Sequence, residues 1–324
     1  MLNTPLTQDP DGRAPDKVVK LPVQREEPGE GAPRSNSAAE DLGSGQEHQP
    51  IGRILVLARR LGALDVERVL ETARRKHLRF GEAARQMGLI GPEDVRFALA
   101  RQFAFPYVDR GDTSLSHDVL AAFAPNHPAV QQLRALRGQI ALRATGGPRP
   151  HPVVAIVSPT RGDGRSFVAA NLAVVFTQLG QRTLLVDASL RSPSLHMFFK
   201  VDQRQGLSTA LAGRNSLNCS RPIGPLPGLQ VMVAGPTPPN PLELVEQPRF
   251  SQMLDQMAAQ FDIVILDTPA YAEGPDAAVL ANRAGVAVVV VRAAATRQPE
   301  ARRFALALEQ ARTNVLGLVF NEKR

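Results

Sequence analysis

The sequence is poor in several residue types, and each scarcity narrows the class of protein. It contains one cysteine, Cys219, and no tryptophan. A single cysteine excludes an internal disulfide and is typical of a reducing compartment. No apolar run approaches the roughly 20 residues of a membrane helix, and the first ten residues lack the basic and apolar regions of a signal peptide. These absences predict a soluble, cytoplasmic protein.

Positive charge exceeds negative charge, with 38 lysine and arginine residues against 31 aspartate and glutamate residues. The arginines are spread over both halves of the chain. No zinc pattern, aromatic RNA-binding strand or basic recognition helix accompanies them. We therefore predict an arginine-rich surface and no nucleic-acid partner. Anionic lipid headgroups, or an acidic tail of a membrane partner, stay open as alternatives.

Composition and periodicity divide the chain into four segments. Residues 1–50 are rich in Pro, Gly, Ser and acidic residues, which predicts disorder. Residues 51–108 have helical periodicity, 109–128 have linker composition, and 129–324 alternate strands and helices. The predicted fold class is α/β: a P-loop NTPase-like, doubly wound, mostly parallel sheet, preceded by a small all-α domain and a disordered N-terminus.

The segment Ser158–Ser166 carries the strongest functional signal. It follows an apolar run at 153–157 and leads into helical spacing at 167–180, so the order is strand, Gly-rich turn, helix. In that context backbone N–H groups and the helix dipole converge on an anion. The usual G-x-x-x-x-G-K-[ST] pattern is altered, with Pro159 as its first residue and Arg165 in place of lysine. Phosphate binding is predicted, catalysis is left open, and an ordinary Gly-rich turn is the alternative.

Two carboxylates, Asp187 and Asp267, end apolar runs that we predict to be parallel strands. The carboxyl ends of parallel strands lie along one edge of a sheet, so both side chains should meet the P-loop there. Mg²⁺ takes one or two carboxylates together with substrate phosphates. A magnesium site built from Ser166, Asp187 and Asp267 is therefore predicted. For each aspartate alone, a solvated strand end or a helix cap is the alternative.

Further motifs make a family resemblance specific. They lie at 184–191, at 206–213, in the proline-rich stretch 234–244 and at 319–321. With them, residues 131–321 resemble the bacterial tyrosine kinases of capsule and exopolysaccharide export, in their chain-length-determinant branch. That family is related to the MinD/ParA ATPases. The proline-rich stretch is the most discriminating motif, because simple ParA-type ATPases lack it.

The resemblance implies ATP and Mg²⁺ as cofactors and assigns roles to particular residues. The implied nucleotide-binding residues are Gly162, Asp163, Gly164, Arg165, Ser166, Phe167 and Asn321. The implied catalytic residues are Arg165, Asp187 and Asp267, of which Asp187 would orient or deprotonate a tyrosine hydroxyl. The implied partner is a transmembrane chain-length determinant, or co-polymerase, which would hold a homo-oligomer of this chain at the inner face of the membrane.

A second resemblance concerns the helical segment. Residues 79–102 resemble the N-terminal domain of type II secretion and pilus ATPases, some of which bind cyclic di-GMP. This implies a ligand site at Arg79, Gly81 and Gln102. A helical adaptor that binds only protein is the alternative.

Four departures from the kinase pattern bear on activity. Arg165 replaces the P-loop lysine, Ser189 replaces the second carboxylate of the D-x-D-x-R motif, and Gln131 replaces the glutamate of the family's assembly helix. The sequence also ends directly after its last predicted strand and contains two tyrosines, Tyr107 and Tyr271. We therefore expect the tail-to-neighbour autophosphorylation route to be absent. Tyr271 is either an acceptor or a packed loop aromatic.

Three functions follow from these observations. The leading hypothesis is an ATP-dependent protein-tyrosine kinase of exopolysaccharide biosynthesis that controls chain length with its co-polymerase. The second is a non-catalytic, nucleotide-binding regulator of that polymerase, favoured by Arg165 and Ser189. The third is a MinD/ParA-like positioning ATPase, disfavoured because Thr160 stands where those proteins place a signature lysine.

Overall fold

The computed structural model describes residues 18–21, 50–103, 106, 108, 111–144, 149–213 and 219–322. The chain forms two compact units. The larger unit comprises Met1–Val23 and Thr113–Arg324, and the smaller comprises Gln24–Asp112. Each unit has its own hydrophobic core. Among the described residues, no helix is both long and apolar enough to span a membrane.

The smaller unit is built from helices. They are α1 (Ile51–Leu57), α2 (Ala63–Lys76), α3 (Phe80–Gln86) and α4 (Pro92–Gln102). Helices α3 and α4 pack closely, since a Cβ on Gly81 would lie 3.1 Å from Val95. Arg60 forms a 2.9 Å salt bridge with Asp94 and lies 4.2 Å from the centre of the Phe97 ring. Gly81 is therefore needed for packing, and the cyclic di-GMP site stays a prediction.

The larger unit is built on one eight-stranded sheet. Its strands are β1 (Val18–Leu21), β2 (Val153–Val157), β3 (Thr183–Asp187), β4 (Arg221–Pro222), β5 (Leu229–Met232), β6 (Ile263–Asp267), β7 (Val286–Arg292) and β8 (Asn314–Asn321). Their order across the sheet is β1-β8-β7-β2-β6-β3-β5-β4, and β4 alone is antiparallel to its neighbour. The predicted α/β, mostly parallel sheet is confirmed.

Helices cover both faces of this sheet. They are α5 (Leu120–Phe123), α6 (Pro128–Arg143), α7 (Arg165–Thr177), α8 (Leu195–Phe199), α9 (Leu207–Leu211), α10 (Pro241–Glu246), α11 (Pro248–Gln260), α12 (Asp276–Ala284) and α13 (Gln298–Gln310). Residues 153, 155 and 157 of β2 share a core with α12 and α13. Because side chains alternate along a strand, 154 and 156 face the opposite side. All five β2 side chains are buried, which explains the continuous apolar run.

Strand β1 lies within the segment predicted to be disordered. It is parallel to β8, with Val18 paired to Leu318 and Leu21 paired to Asn321. The short apolar run around Val18 supplies the strand, and the edge of β8 supplies its backbone partners. Residues 1–17 and 22–49, on which the rest of the disorder prediction falls, lie outside the described residues.

Helix α5 lies within the segment predicted to be a linker, 109–128. The Asn171 side chain on α7 accepts a hydrogen bond from the Ala121 N–H (2.8 Å) and donates one to the Asp118 carbonyl (2.9 Å). Phe123 is buried. From residue 113 onward the segment therefore belongs to the larger unit. The local composition of this segment indicates turns. The contact that holds the segment against α7 involves Asn171, which lies 50 positions from Ala121 in the sequence, so composition alone did not predict it.

Candidate functional site

The P-loop joins β2 to α7 and turns tightly around the start of that helix. Gly162 and Gly164 have φ angles of +86° and +99°, a left-handed conformation that favours glycine. Gly164 is the N-cap of α7, whose first N–H groups have no partner within the helix. Ser166 and Phe167, both half-buried, follow in the first turn. The loop therefore presents backbone donors and the positive end of a helix dipole to an anion.

The carboxylate of Asp163 accepts hydrogen bonds from the P-loop itself and from the loop after β7. It is 1% exposed and accepts hydrogen bonds of 2.8 Å from the Thr160 N–H and from the Thr160 hydroxyl. The hydroxyl of Thr296, in the loop after β7, donates a further bond of 2.8 Å. This carboxylate links the P-loop to the loop after β7, so it is not directed toward a nucleotide.

Arg165, at the position of the usual lysine, is turned toward the protein. It is 8% exposed. Its Nε donates to the Thr268 carbonyl at 2.8 Å, and its Nη1 donates to the Ser158 hydroxyl at 2.5 Å and to the Thr160 carbonyl at 3.2 Å. The guanidinium therefore links the P-loop to the end of β6.

Asp267 ends β6 and has two buried oxygens without a hydrogen-bond partner among the described residues. Burial raises its pKa to about 6, opposed by the charge of Arg165 and by the Ser166 hydroxyl. The hydroxyl is near enough to lower the pKa, but no hydrogen bond of normal geometry reaches either oxygen. Unpaired buried carboxylate oxygens are costly, and a hard cation satisfies them. Asp267 and Ser166 therefore fit the predicted magnesium site.

Asp187 lies directly beside Asp267, since the two residues are paired across β3 and β6. Both of its oxygens accept hydrogen bonds. One accepts the Ser189 N–H at 3.1 Å, and the other accepts the N–H groups of Ser194 (2.9 Å) and Leu195 (3.0 Å). Burial and the neighbouring Asp267 charge raise its pKa to about 7. Asp187 thus holds the loop before α8, and its catalytic and metal roles stay predictions.

The loop after β3 is bound to the segment after β6. The Ser189 hydroxyl donates to the Ser192 carbonyl at 3.0 Å, and the Ser192 hydroxyl donates to Glu273 Oε2 at 2.7 Å. Arg191 forms a 3.3 Å salt bridge with Asp276, at the start of α12. Sequence reasoning missed Glu273, Asp276 and Thr296. Glu273 lies six residues after Asp267, which could have indicated that it lies near the site. Its contact with Ser192 could not be predicted from the sequence around either residue.

Asn321 and Tyr271 also lie at this edge. The Asn321 amide donates to the Asp163 carbonyl at 2.9 Å, so its side chain contacts the P-loop itself. The Tyr271 ring lies 5.0 Å from the Phe304 ring and packs against the core, which supports the packed-aromatic alternative. Tyr107 lies outside the described residues.

Two cavities adjoin the P-loop. One, of about 490 Å³, is lined by Pro159, Thr160, Tyr271, Ala272, Glu273, Gly274, Pro275, Glu300 and Arg303. The other, of about 950 Å³, lies between α13 and strands β7 and β8, and is mainly apolar. Both volumes are within the range of small-molecule sites, roughly 300–1,000 Å³.

Comparisons with known proteins find relatives of the larger unit. The family model "Cellulose biosynthesis protein BcsQ" matches residues 153–320. The putative tyrosine-protein kinase EpsB of Ralstonia nicotianae is 38% identical over 205 residues, which cover 63% of this chain and only 27% of EpsB. The tyrosine-protein kinase YwqD of Bacillus subtilis is 33% identical over 210 residues, or 65% of this chain and 88% of YwqD.

A solved structure gives the same result. The kinase domain of the Escherichia coli tyrosine kinase ETK is 34% identical, with a TM-score of 0.60, over 65% of this chain and 82% of that domain. The match to this domain confirms the P-loop NTPase-like class of the predicted fold.

Proposed function

The chain belongs to the bacterial tyrosine-protein kinase family, and on this basis we propose that it transfers phosphate from ATP to tyrosine in exopolysaccharide biosynthesis. The observation that carries the proposal is Asp267, whose two buried oxygens have no hydrogen-bond partner in the described part of the chain and lie near Ser166, at the start of α7. A cation bound to a nucleotide would satisfy those oxygens. The proline-rich stretch 234–244 supports the link to polysaccharide export.

Different residues of the site have different proposed roles in phosphoryl transfer. N–H groups of Gly162–Ser166 would bind phosphate oxygens, and Ser166 and Asp267 would hold Mg²⁺. Mg-ATP supplies the phosphoryl group and an ion that neutralises its charge. Arg165 links the P-loop to the Thr268 carbonyl, so its guanidinium is directed into the protein in the nucleotide-free chain. Catalysis of this kind consists mainly of positioning and charge stabilisation.

The proposed partner is a transmembrane chain-length determinant, with which the chain controls polymer length at the inner face of the membrane. The proposed contact between copies of the chain involves α6. One of its arginines, Arg137, donates to the Val175 carbonyl at 2.8 Å and so is partly used within the protein. Cyclic di-GMP stays a proposed ligand of the smaller unit, at Arg79, Gly81 and Gln102.

The test is to incubate the full chain with Mg-ATP and locate phosphate by mass spectrometry, with and without the cytoplasmic segment of a co-polymerase. We expect phosphotyrosine on this chain or on the partner. We expect Asp267→Asn to abolish it, because the amide cannot replace a metal-binding carboxylate. Asp255→Asn, on the exposed surface of α11, is the matched control and should leave transfer unchanged.

A non-catalytic regulator is the second candidate, and the inward contacts of Arg165 favour it. A guanidinium engaged with the protein contributes less to stabilising a transferring phosphate. Calorimetry and turnover separate the two functions. ATP that binds and stays intact, with no phosphotyrosine on either protein, would establish the regulator and overturn the kinase.

A further inference from the structure

One face of β8 is only partly covered by helix α13. Val289 of β7 pairs with Leu318 of β8, and Val291 pairs with Phe320. Residues paired across parallel strands lie on the same face of a sheet. Both valines belong to the hydrophobic core, whereas Leu318 and Phe320 are only partly buried against it. Val319, on the opposite face of β8, is fully buried. The incomplete cover leaves the cavity of about 950 Å³ between the two strands and α13.

This cavity, the α13 groove, runs along β8 and the helix and is mainly apolar. Val315, Leu318 and Phe320 line its strand side, and Phe304 and Leu308 line its helix side. Val315 is 44% exposed. From Val315 to Phe320 the strand spans about 17 Å, at roughly 3.3 Å per residue. Contiguous apolar surface of this kind marks an interaction site, because an apolar ligand gains free energy when it leaves water there.

Charged residues are distributed unevenly along the α13 groove. Thr296, just before α13, donates a hydrogen bond to Asp163 of the P-loop, so the helix starts at the P-loop edge of the sheet. Arg302 lines the groove about 6 Å from that start, at roughly 1.5 Å per residue, and Arg292 lines it at the end of β7. Glu309, the one carboxylate among the described lining residues, lies near the other end of α13. The groove is therefore positive at its P-loop end.

The walls of the α13 groove favour an acyl chain over an extended peptide. Strand β8 pairs with β7 over Asn314–Asn321 and with β1 over Leu318–Asn321, so the backbone groups of the strands point along the sheet and not into the groove. The backbone of α13 is hydrogen-bonded within the helix. An extended peptide would therefore leave its own buried N–H and C=O groups without partners, which costs free energy. An acyl chain has no such groups.

We propose that the α13 groove binds a single-chain anionic amphiphile, such as a fatty acid, with its head group at Arg292 and Arg302 and its chain along β8. The two guanidinium groups attract a carboxylate and can donate hydrogen bonds to it. Burial of the chain against Leu318 and Phe320 supplies most of the binding free energy. This site is separate from the backbone donors of the P-loop and does not depend on the proposed kinase function, so the nucleotide-free chain is used to test it.

The test titrates dodecanoate, below its micelle concentration, into the full-length chain in an isothermal titration calorimeter. We expect saturable binding of one molecule per chain. Dodecyltrimethylammonium has the same alkyl chain with a cationic head group, and it should bind about tenfold more weakly because the arginines repel it. Excess inorganic pyrophosphate should leave the affinity for dodecanoate unchanged. Displacement of dodecanoate by pyrophosphate would place its carboxylate in the P-loop and overturn the proposal.

Neighbouring residues of α13 provide matched variants. Arg302→Gln should weaken the binding of dodecanoate about fivefold. Arg303→Gln removes the same charge from a residue that lines the other cavity, so it should leave the affinity unchanged. Ala305→Trp fills the apolar part of the groove and should abolish binding. Leu306→Trp places the same ring at an exposed position outside the groove and should retain binding.

Three further results would overturn the proposal. The first is that the original chain does not bind dodecanoate. The second is equal weakening by Arg302→Gln and Arg303→Gln, which would show attraction to net positive charge alone. The third is full binding by an Ala305→Trp variant that melts like the original chain, since the alkyl chain would then lie elsewhere. If Ala305→Trp does not fold, the two arginine variants still decide the question.

Discussion

At the scale of single residues, we expect the inward contacts of Arg165 to limit how tightly the P-loop binds a nucleotide. Its hydrogen bonds to Thr268 and Ser158 must be shared or broken before the guanidinium can face a phosphate. Lysine carries the same charge on a flexible chain, but its ammonium group cannot make the hydrogen bonds to Thr268 and Ser158 in the way that a planar guanidinium does. We expect Arg165→Lys to bind Mg-ATP several-fold more tightly, as measured by isothermal titration calorimetry.

A surface arginine provides the control for this substitution. Arg182 pairs with Asp262 at the opposite end of the sheet from the P-loop, so Arg182→Lys should leave the affinity for ATP unchanged. Weaker binding by Arg165→Lys would mean that the guanidinium turns to the phosphates when nucleotide binds.

The residues of the site were predictable to different degrees. Gly162, Gly164 and the strand-end aspartates could be found from sequence, because a tight turn and a buried strand leave local patterns. The long-range hydrogen bonds that determine which side chains are available to a ligand could not be predicted from sequence. The Ser192–Glu273 bond joins residues 81 positions apart, and the Thr296–Asp163 bond joins residues 133 positions apart. The hydrogen bonds that Asp187 accepts from Ser194 and Leu195 likewise depend on where the loop before α8 folds.

At the scale of secondary-structure elements, the adjacent ends of β3 and β6 make stability depend on pH. Asp187 and Asp267 have pKa values of about 7 and about 6 in the folded chain, above their ordinary value of 3.8. Between roughly pH 4 and 7 the folded chain therefore holds protons that the unfolded chain has released. The free energy of unfolding must fall as the pH rises through that window.

We expect the melting temperature of the nucleotide-free chain to decrease by several degrees between pH 5 and 8, as measured by thermal unfolding in matched buffers. Asp267→Asn removes one buried charge and its repulsion of Asp187, so this variant should melt higher than the original chain at pH 8 and vary less with pH. Equal slopes for the two chains would show that other groups control the pH dependence.

The elements themselves were predicted well where their pattern is local. The apolar runs of β2, β3 and β6 are buried on both faces, so they stand out in the sequence. Strand β1 and helix α5 did not stand out. Each has four residues, and each is held by a distant partner: β8 for the strand and α7 for the helix.

At the scale of the whole molecule, the boundary of the larger unit determines which fragments fold. A fragment of residues 113–324 keeps α5, whereas 129–324, the boundary predicted from sequence, removes it. That removal would leave the Asn171 side chain without its partners at Ala121 and Asp118, and would uncover the surface that Phe123 covers.

We expect 113–324 to melt cooperatively and 129–324 to melt at least several degrees lower or to aggregate, as followed by circular dichroism. In 113–324, Asn171→Ala should lower the melting temperature by removing the same contacts. If 129–324 is as stable as 113–324, then α5 contributes nothing to the larger unit.

Strand β1 has a consequence for solubility. It pairs with the last four residues of β8, Leu318–Asn321, and so covers backbone groups at the margin of the sheet. Exposed strand margins are templates on which separate molecules join and precipitate. A chain shortened to 113–324 can fold correctly but lacks β1, so the backbone groups of Leu318–Asn321 are exposed at the edge of its sheet. We therefore expect this fragment to aggregate more readily at high concentration than the full chain.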